Sequence, residues 1–199
     1  MGTRKIVVGV TGASGAIYAQ RFLRHAAESL DEVFLILSDQ AVQVAHQELG
    51  VPIDRQNFST ESWLGAKYEN IHLLDSRNYF TPPASGSFRH DGMVILPCSM
   101  GTAGRIAHGI SDDLLTRSAD VCLKEGRKLI VVPREMPMNA IMLRNLTTLA
   151  EAGVHVVPAC PAWYHRPTTL EALADTVVAR VLQLLGIEQQ LMRQWMVED

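Results

Sequence analysis

Short, almost wholly apolar runs punctuate the chain, and longer stretches of helical spacing lie between most of them. The runs are Lys5–Val10, Val33–Leu37, Met93–Leu96, Leu129–Val132 and Val154–Val157. They are rich in Val, Ile and Leu and do not alternate with polar positions. Strands of that kind are buried on both faces, as in a parallel sheet. The helical spacing covers Ala16 to Ala26, then a segment ending near Glu48. A third segment runs from Ser111-Asp112-Asp113 to about Glu125, where Gly126 stops it. A last long helix is expected from Thr168, with Glu171 completing a capping box. The β-α-β-α order predicts the α/β class: a doubly wound, Rossmann/flavodoxin-like parallel sheet flanked by helices. Residues 51–92 are the least regular part, and Pro82-Pro83-Ala84-Ser85-Gly86-Ser87 reads as a loop folded over a ligand.

Ligands in such folds bind beyond the carboxyl ends of the strands, so the segments just after each strand carry the candidate chemistry. After the first comes Thr11-Gly12-Ala13-Ser14-Gly15-Ala16. A strand, a glycine turn and a helix N-terminus make an anion site, because the first helical N–H groups lack internal partners and the helix dipole favours negative charge there. The spacing Gly9-x-x-Gly12-x-x-Gly15 departs from both the dinucleotide fingerprint and the P-loop. A tight connection needing glycine for geometry alone is the plain alternative. After the second strand, Asp39 sits where a nicotinamide site would carry a ribose-binding acid, whereas Ser38 suits a phosphate or a flavin.

Pro97-Cys98-Ser99-Met100-Gly101-Thr102-Ala103-Gly104 is a second loop of this kind opening a helix. Cys98 there is read as a small buried residue rather than a nucleophile. Arg117 and Lys124 are seven residues apart and share a helix face, a solvated stripe or a phosphate clamp. Arg134-Glu135 closes the fourth strand, as a structural ion pair or as functional groups. The segment from Pro158 to Pro167 is an aromatic loop. Leu173, Val177 and Leu184 put Arg180 on or beside the apolar face of the last helix, where an arginine calls for an anionic partner: a bound phosphate, or a carboxylate such as Glu135.

Composition narrows the partners. At 199 residues, 47% hydrophobic and 20% charged, the chain is expected to form one domain spanning 1–199. A net charge of −3 without basic runs gives no nucleic-acid face. No stretch has the length of a membrane span and the start has no signal-peptide layout, so a cytoplasmic location is expected. Cys98, Cys122 and Cys160 are isolated singles and the seven histidines are scattered, so neither a disulfide framework nor a metal site is expected.

Taken together, several motifs resemble the UbiX-type flavin prenyltransferases over nearly the full length. They are Thr-Gly-Ala-Ser-Gly at 11–15, Pro-Ala-Ser-Gly-Ser at 83–87, Pro-Cys-Ser-Met at 97–100 and Arg117-Ser-Ala-Asp-Val. Leu123-Lys-Glu, Pro133-Arg-Glu and Trp163-Tyr-His-Arg-Pro complete the set. The resemblance implies transfer of a dimethylallyl group from dimethylallyl monophosphate to N5 and C6 of reduced FMN, without a metal. The prenylated FMN then serves a UbiD-type decarboxylase. It also implies residue roles. Gly12, Ala13, Ser14, Ser38, Ser99, Met100, Gly101, Thr102 and Arg134 would hold FMN. Arg117, Lys124, Tyr164 and Arg180 would hold the dimethylallyl phosphate, and Trp195 would close the site. Glu135 would manage protons, with Ser14 and Glu48 near the flavin and Lys124 counted with the catalytic groups. Relatives form dodecamers, and the segment about 186–199 is expected to pack on a neighbouring subunit. Met142 and Trp163 stand where many relatives carry His and Phe. Two other readings compete: an FMN-dependent cysteine decarboxylase of related fold, and a non-catalytic flavin carrier for a decarboxylase. Neither has a use for Arg117, Lys124 and Arg180 together.

Overall fold

A computed structural model describes residues 3–192. In chain order its elements are β1 (Lys5–Val10), α1 (Ala16–Ser29), β2 (Glu32–Leu37), α2 (Asp39–Leu49), α3 (Thr60–Leu64), β3 (Ile71–Leu74) and β4 (Gly92–Cys98). There follow α4 (Met100–Ala107), α5 (Leu114–Lys124), β5 (Leu129–Pro133), α6 (Ala140–Glu151), β6 (His155–Val156) and α7 (Leu170–Leu185). The strands form one parallel sheet in the order β3-β2-β1-β4-β5-β6. The chain winds outward from β1 to β3, then returns to the other side of β1 with β4. That reversal opens a crevice at the carboxyl ends of β1 and β4.

Period-two alternation sorts each strand between two cores. Ile6, Val8, Val10, Val94 and Leu96 pack with Phe22 and Leu23 of α1 and with Val178 and Leu182 of α7. Val7, Met93, Ile95 and Val131 pack with Ala103 and Ile106 of α4 and with Leu114, Leu115 and Ala119 of α5. A bidentate ion pair joins the two helices of the first layer: Arg21 Nε and Nη2 donate to Asp175 Oδ1 and Oδ2 at 2.7 and 2.6 Å.

The expected class and sheet type hold, with local corrections. Among the described residues there are six strands rather than five. β3 is a four-residue edge strand whose His72 is exposed, and so short a run gave no apolar signal. Only two residues of the fifth predicted run pair, as β6. The third expected helix starts at Leu114, not Ser111, because Asp113 is the cap and forms a reciprocal box with Thr116. The cap of α7 is Thr169, not Thr168: its Oγ1 accepts from the Ala172 N–H at 3.1 Å. Glu171 instead lies in the first turn of α7, where it favours the positive end of the helix dipole. Among the described residues no helix is long and apolar enough to cross a membrane.

Candidate functional site

The loops following β1, β2, β4 and β5 meet at the crevice, and buried Thr11 joins two of them. Its Oγ1 donates to the Pro97 carbonyl at 2.8 Å and accepts from the Ser99 N–H at 2.7 Å. Gly12 is needed for close approach: a Cβ there would lie 2.3 Å from Gln40 Cβ. Gly15 has φ 107°, which a side chain would strain.

The N-terminus of α1, expected to receive an external anion, already holds one from the protein. Glu48, at the end of α2, accepts from the Gly15 and Ala16 N–H groups at 2.8 and 2.7 Å on Oε2. Burial works against its charge. The Ser14 hydroxyl, the Ala16 and Gly15 N–H groups and the nearby Arg134 outweigh that, so its pKa is lowered. Arg134 Nε donates to the Ser14 carbonyl at 3.2 Å. Next along the chain, the Glu135 carboxylate accepts from the Met136 N–H at 3.1 Å. Ser14, Glu48 and Arg134 thus gather around one end of the crevice, with Glu135 next in sequence, and Arg134 is tied to the first loop rather than, among the described residues, closing an Arg–Glu pair.

The anion-binding capacity lies at the other two helix starts. Ser38 Oγ caps α2 by accepting from the Ala41 N–H at 3.1 Å. Ser99 Oγ caps α4 by accepting from the Thr102 N–H at 3.3 Å. The remaining first-turn N–H groups of both helices are left for a ligand. Between them lies a cavity of about 300 Å³ lined by Thr11, Gly12, Ser38, Gln40, Ser99, Gly101, Thr102 and Arg105. At Gly101 a Cβ would meet nothing within 4 Å, so the first turn of α4 is open to an incoming group. Ala13 and Met100 are buried and shape the loops from beneath. Hydroxyls and two helix dipoles suit the phosphate and ribityl end of a flavin nucleotide, and Ser14 with Arg134 suits its polar ring edge. The residues fit FMN.

A nicotinamide fits less well. Asp39 is engaged by Arg55 Nη1 at 2.5 Å and by Arg77 Nη2 at 3.4 Å, so it is no free ribose acceptor. Cys98 is fully buried, and burial pushes its thiol up to about 12, which suits a packing role rather than a nucleophilic one. Gln40 and Arg105 line the cavity although no sequence motif marked them. The spacing of Arg105 three residues after Thr102 was the available signal.

Within one chain, the cations expected to hold the second phosphate are divided between the two helix layers. Arg117 and Lys124 sit on α5. Arg117 Nε donates to the Ala84 carbonyl at 3.2 Å and Nη1 to Asp120 at 2.9 Å, and Lys124 Nζ bonds Glu125 at 2.6 Å. Tyr164 packs against His165 in the loop after β6, ring centroids 4.1 Å apart and planes tilted by 48°. Arg180 is on α7, in the layer across the sheet from α5, and it is exposed rather than set in the apolar face, with Nη1 donating to Gln183 at 3.4 Å. Residues flanking it on the helix, Ala179 and Val181, are buried, so the backbone turns Arg180 outward. Trp195 lies outside the described residues.

Comparison with known proteins places the chain in a family. The Flavoprotein family profile matches residues 1–184. Flavin prenyltransferase UbiX of Synechocystis is 45% identical over 196 residues, covering 96% of this chain and 95% of that protein. The crystal structure of AnUbiX (PadA1) in complex with FMN and dimethylallyl pyrophosphate superposes with a TM-score of 0.88 at 34% identity, covering all of both chains. A dodecameric FMN-dependent UbiX-like decarboxylase from Escherichia coli O157:H7 gives 0.85 at 39% identity, covering 97% of this chain and 100% of the other. The chain belongs to the flavoprotein family and, within it, to the UbiX flavin prenyltransferases.

Proposed function

We propose that this protein transfers a dimethylallyl group from dimethylallyl monophosphate to N5 and C6 of reduced FMN. The observation that carries this reading is the pairing, in one crevice, of an anion cradle (Ser38, Ser99, Thr102) with the polar group of Ser14, Glu48 and Arg134, which Glu135 follows in sequence. The flavin supplies the nucleophilic N5 and C6 positions. Gly12, Ala13, Met100 and Gly101 shape the cradle around it. Breaking the allylic C–O bond leaves a phosphate, whose charge Arg117, Lys124, Tyr164 and Arg180 take up. Closing the ring at C6 releases a proton, and Glu135 or the departing phosphate accepts it. Glu48, held as a carboxylate next to the Ser14 hydroxyl, offers a second acceptor through that hydroxyl.

Arg117 and Lys124 lie across the sheet from Arg180, so a complete phosphate site draws on a neighbouring copy of the chain. Exposed Met136, Ile141 and Leu143, close in sequence to Glu135, offer apolar surface for that neighbour. A dodecamer matches the assembly of the E. coli relative. The product is passed to a UbiD-type decarboxylase, in a cytoplasmic setting that suits the three free cysteines.

The test is anaerobic incubation with reduced FMN and dimethylallyl monophosphate, without metal, followed by mass spectrometry of the released flavin. A gain of one C5H8 unit supports the proposal. Unmodified FMN from folded, flavin-loaded protein overturns it and leaves a flavin carrier or another flavoenzyme.

A further inference from the structure

We infer that Arg105 is a positioning residue for the phosphate end of the flavin nucleotide, acting through the hydroxyl of Thr102. The inference rests on reading the cavity at the α2 and α4 N-termini as the flavin mononucleotide site. Thr102 is buried in the first turn of α4 and lines that cavity. A hydroxyl oxygen carries two lone pairs and one proton. Both lone pairs are engaged: Thr102 Oγ1 accepts from Ser99 Oγ–H at 3.0 Å and from Arg105 Nη2 at 3.3 Å. The usual outlets for a threonine proton in a helix are the carbonyls three and four residues back. Each of these carbonyls already accepts a backbone N–H, Ser99 from Ala103 at 2.9 Å and Cys98 from Arg134 at 3.3 Å, and among the described residues Thr102 Oγ1 donates to neither. The Thr102 proton is thereby turned to the cavity, as a donor to an anion.

The guanidinium is held for this task rather than for binding charge itself. Nη1 donates to Asp112 at 2.5 Å and to Asp113 at 2.9 Å, so two carboxylates neutralise it. Asp113 is in turn fixed by the cap of α5, accepting from the Thr116 N–H and hydroxyl at 2.7 Å each. The planar fork of arginine reaches the carboxylates with one nitrogen and Thr102 with the other, which a lysine ammonium does not reproduce. What Arg105 adds to the cavity is direction, by removing the alternative orientations of one hydroxyl.

The experiment titrates flavin-free protein with FMN and with riboflavin, which lacks the phosphate, for wild type, R105Q, R105K, T102V and the R105Q/T102V double variant. Thermal melts confirm folding of each. R105Q and T102V are each expected to weaken FMN binding about tenfold, the scale of one hydrogen bond to a charged group, and to leave riboflavin unchanged. The double variant is expected to be no weaker than T102V, because Arg105 acts only through that hydroxyl. R105K, which keeps the charge, is expected to behave as R105Q. Additive losses, full rescue by R105K, or an FMN preference that R105Q leaves intact overturns the role of Arg105 alone. Equal wild-type affinities for FMN and riboflavin overturn the flavin reading of the cavity, and the inference with it.

Discussion

Replacing Glu48 by Gln tests the internal anion at the start of α1. The carboxylate receives two backbone N–H groups at 2.8 and 2.7 Å, in the region where the helix dipole is positive. The amide keeps one acceptor oxygen but loses the charge. Charge–dipole stabilisation amounts to about 0.3–1 kcal/mol at exposed sites and about 2 kcal/mol when partly buried. Bonds to a charged acceptor are also stronger than neutral ones. The combined loss at pH 7 is about 1–2 kcal/mol, which lowers Tm by about 3–6 °C for a chain of this length. The pH dependence carries the sign. Glu48 has a folded-state pKa below its ordinary value. Its stabilisation is therefore full above the unfolded-state value of about 4.3 and is lost as pH falls through the lower, folded-state value. Calorimetric melts of wild type and E48Q at a series of pH values from neutral into the acid range read this directly. The gap is expected at neutral pH and closes in acid. A gap that does not change with pH, or a variant that melts above wild type at neutral pH, would refute the assignment of Glu48 as a charged cap.

Three further outcomes follow from the geometry. D175A leaves the Arg21 guanidinium unpaired between α1 and α7 and is expected to cost about 2–4 kcal/mol, read as a lower denaturant midpoint with an unchanged m-value. G12A places a Cβ 2.3 Å from Gln40 Cβ; the displaced first loop is expected to weaken FMN binding, seen by flavin fluorescence, with about 1–3 kcal/mol of overpacking cost. R117A and R180A are each expected to be inactive, yet mixed oligomers assembled from equal amounts should regain about a quarter of wild-type turnover. Sites that draw one residue from each of two subunits find both intact in that fraction. No recovery on mixing would place both arginines in the same subunit's site.

The sheet was legible because its strands are buried on both faces, and five runs such as Val7-Val8 and Ile130-Val131 announced themselves. β3 was not, since a short edge strand with an exposed His72 lacks that pattern. The cradle loops were legible from position alone: Ser38 and Ser99 follow apolar runs and open helices. Which helix start serves an external anion was not legible, because that depends on Glu48 arriving from 33 residues beyond Gly15 in sequence. Helical spacing set Arg180 near an apolar stripe without fixing on which side of its edge the side chain falls. The role of Arg105 is not written in its local sequence, because its partners, Asp112 and Asp113, are brought to it by the turn between α4 and α5.

The buried thiols have a consequence for handling reduced flavin. Reduced flavin that meets oxygen releases peroxide, and peroxide attacks thiolates. Burial holds Cys98 and Cys122 as thiols, each with its pKa pushed up to about 12. Cys98 is one residue from Ser99 of the cradle, so a thiol beside the cradle is chemically silent. Oxidative wear should therefore collect at exposed Cys160, and a batch aged in air should carry its sulfenic or mixed-disulfide adducts there while its fold stays intact.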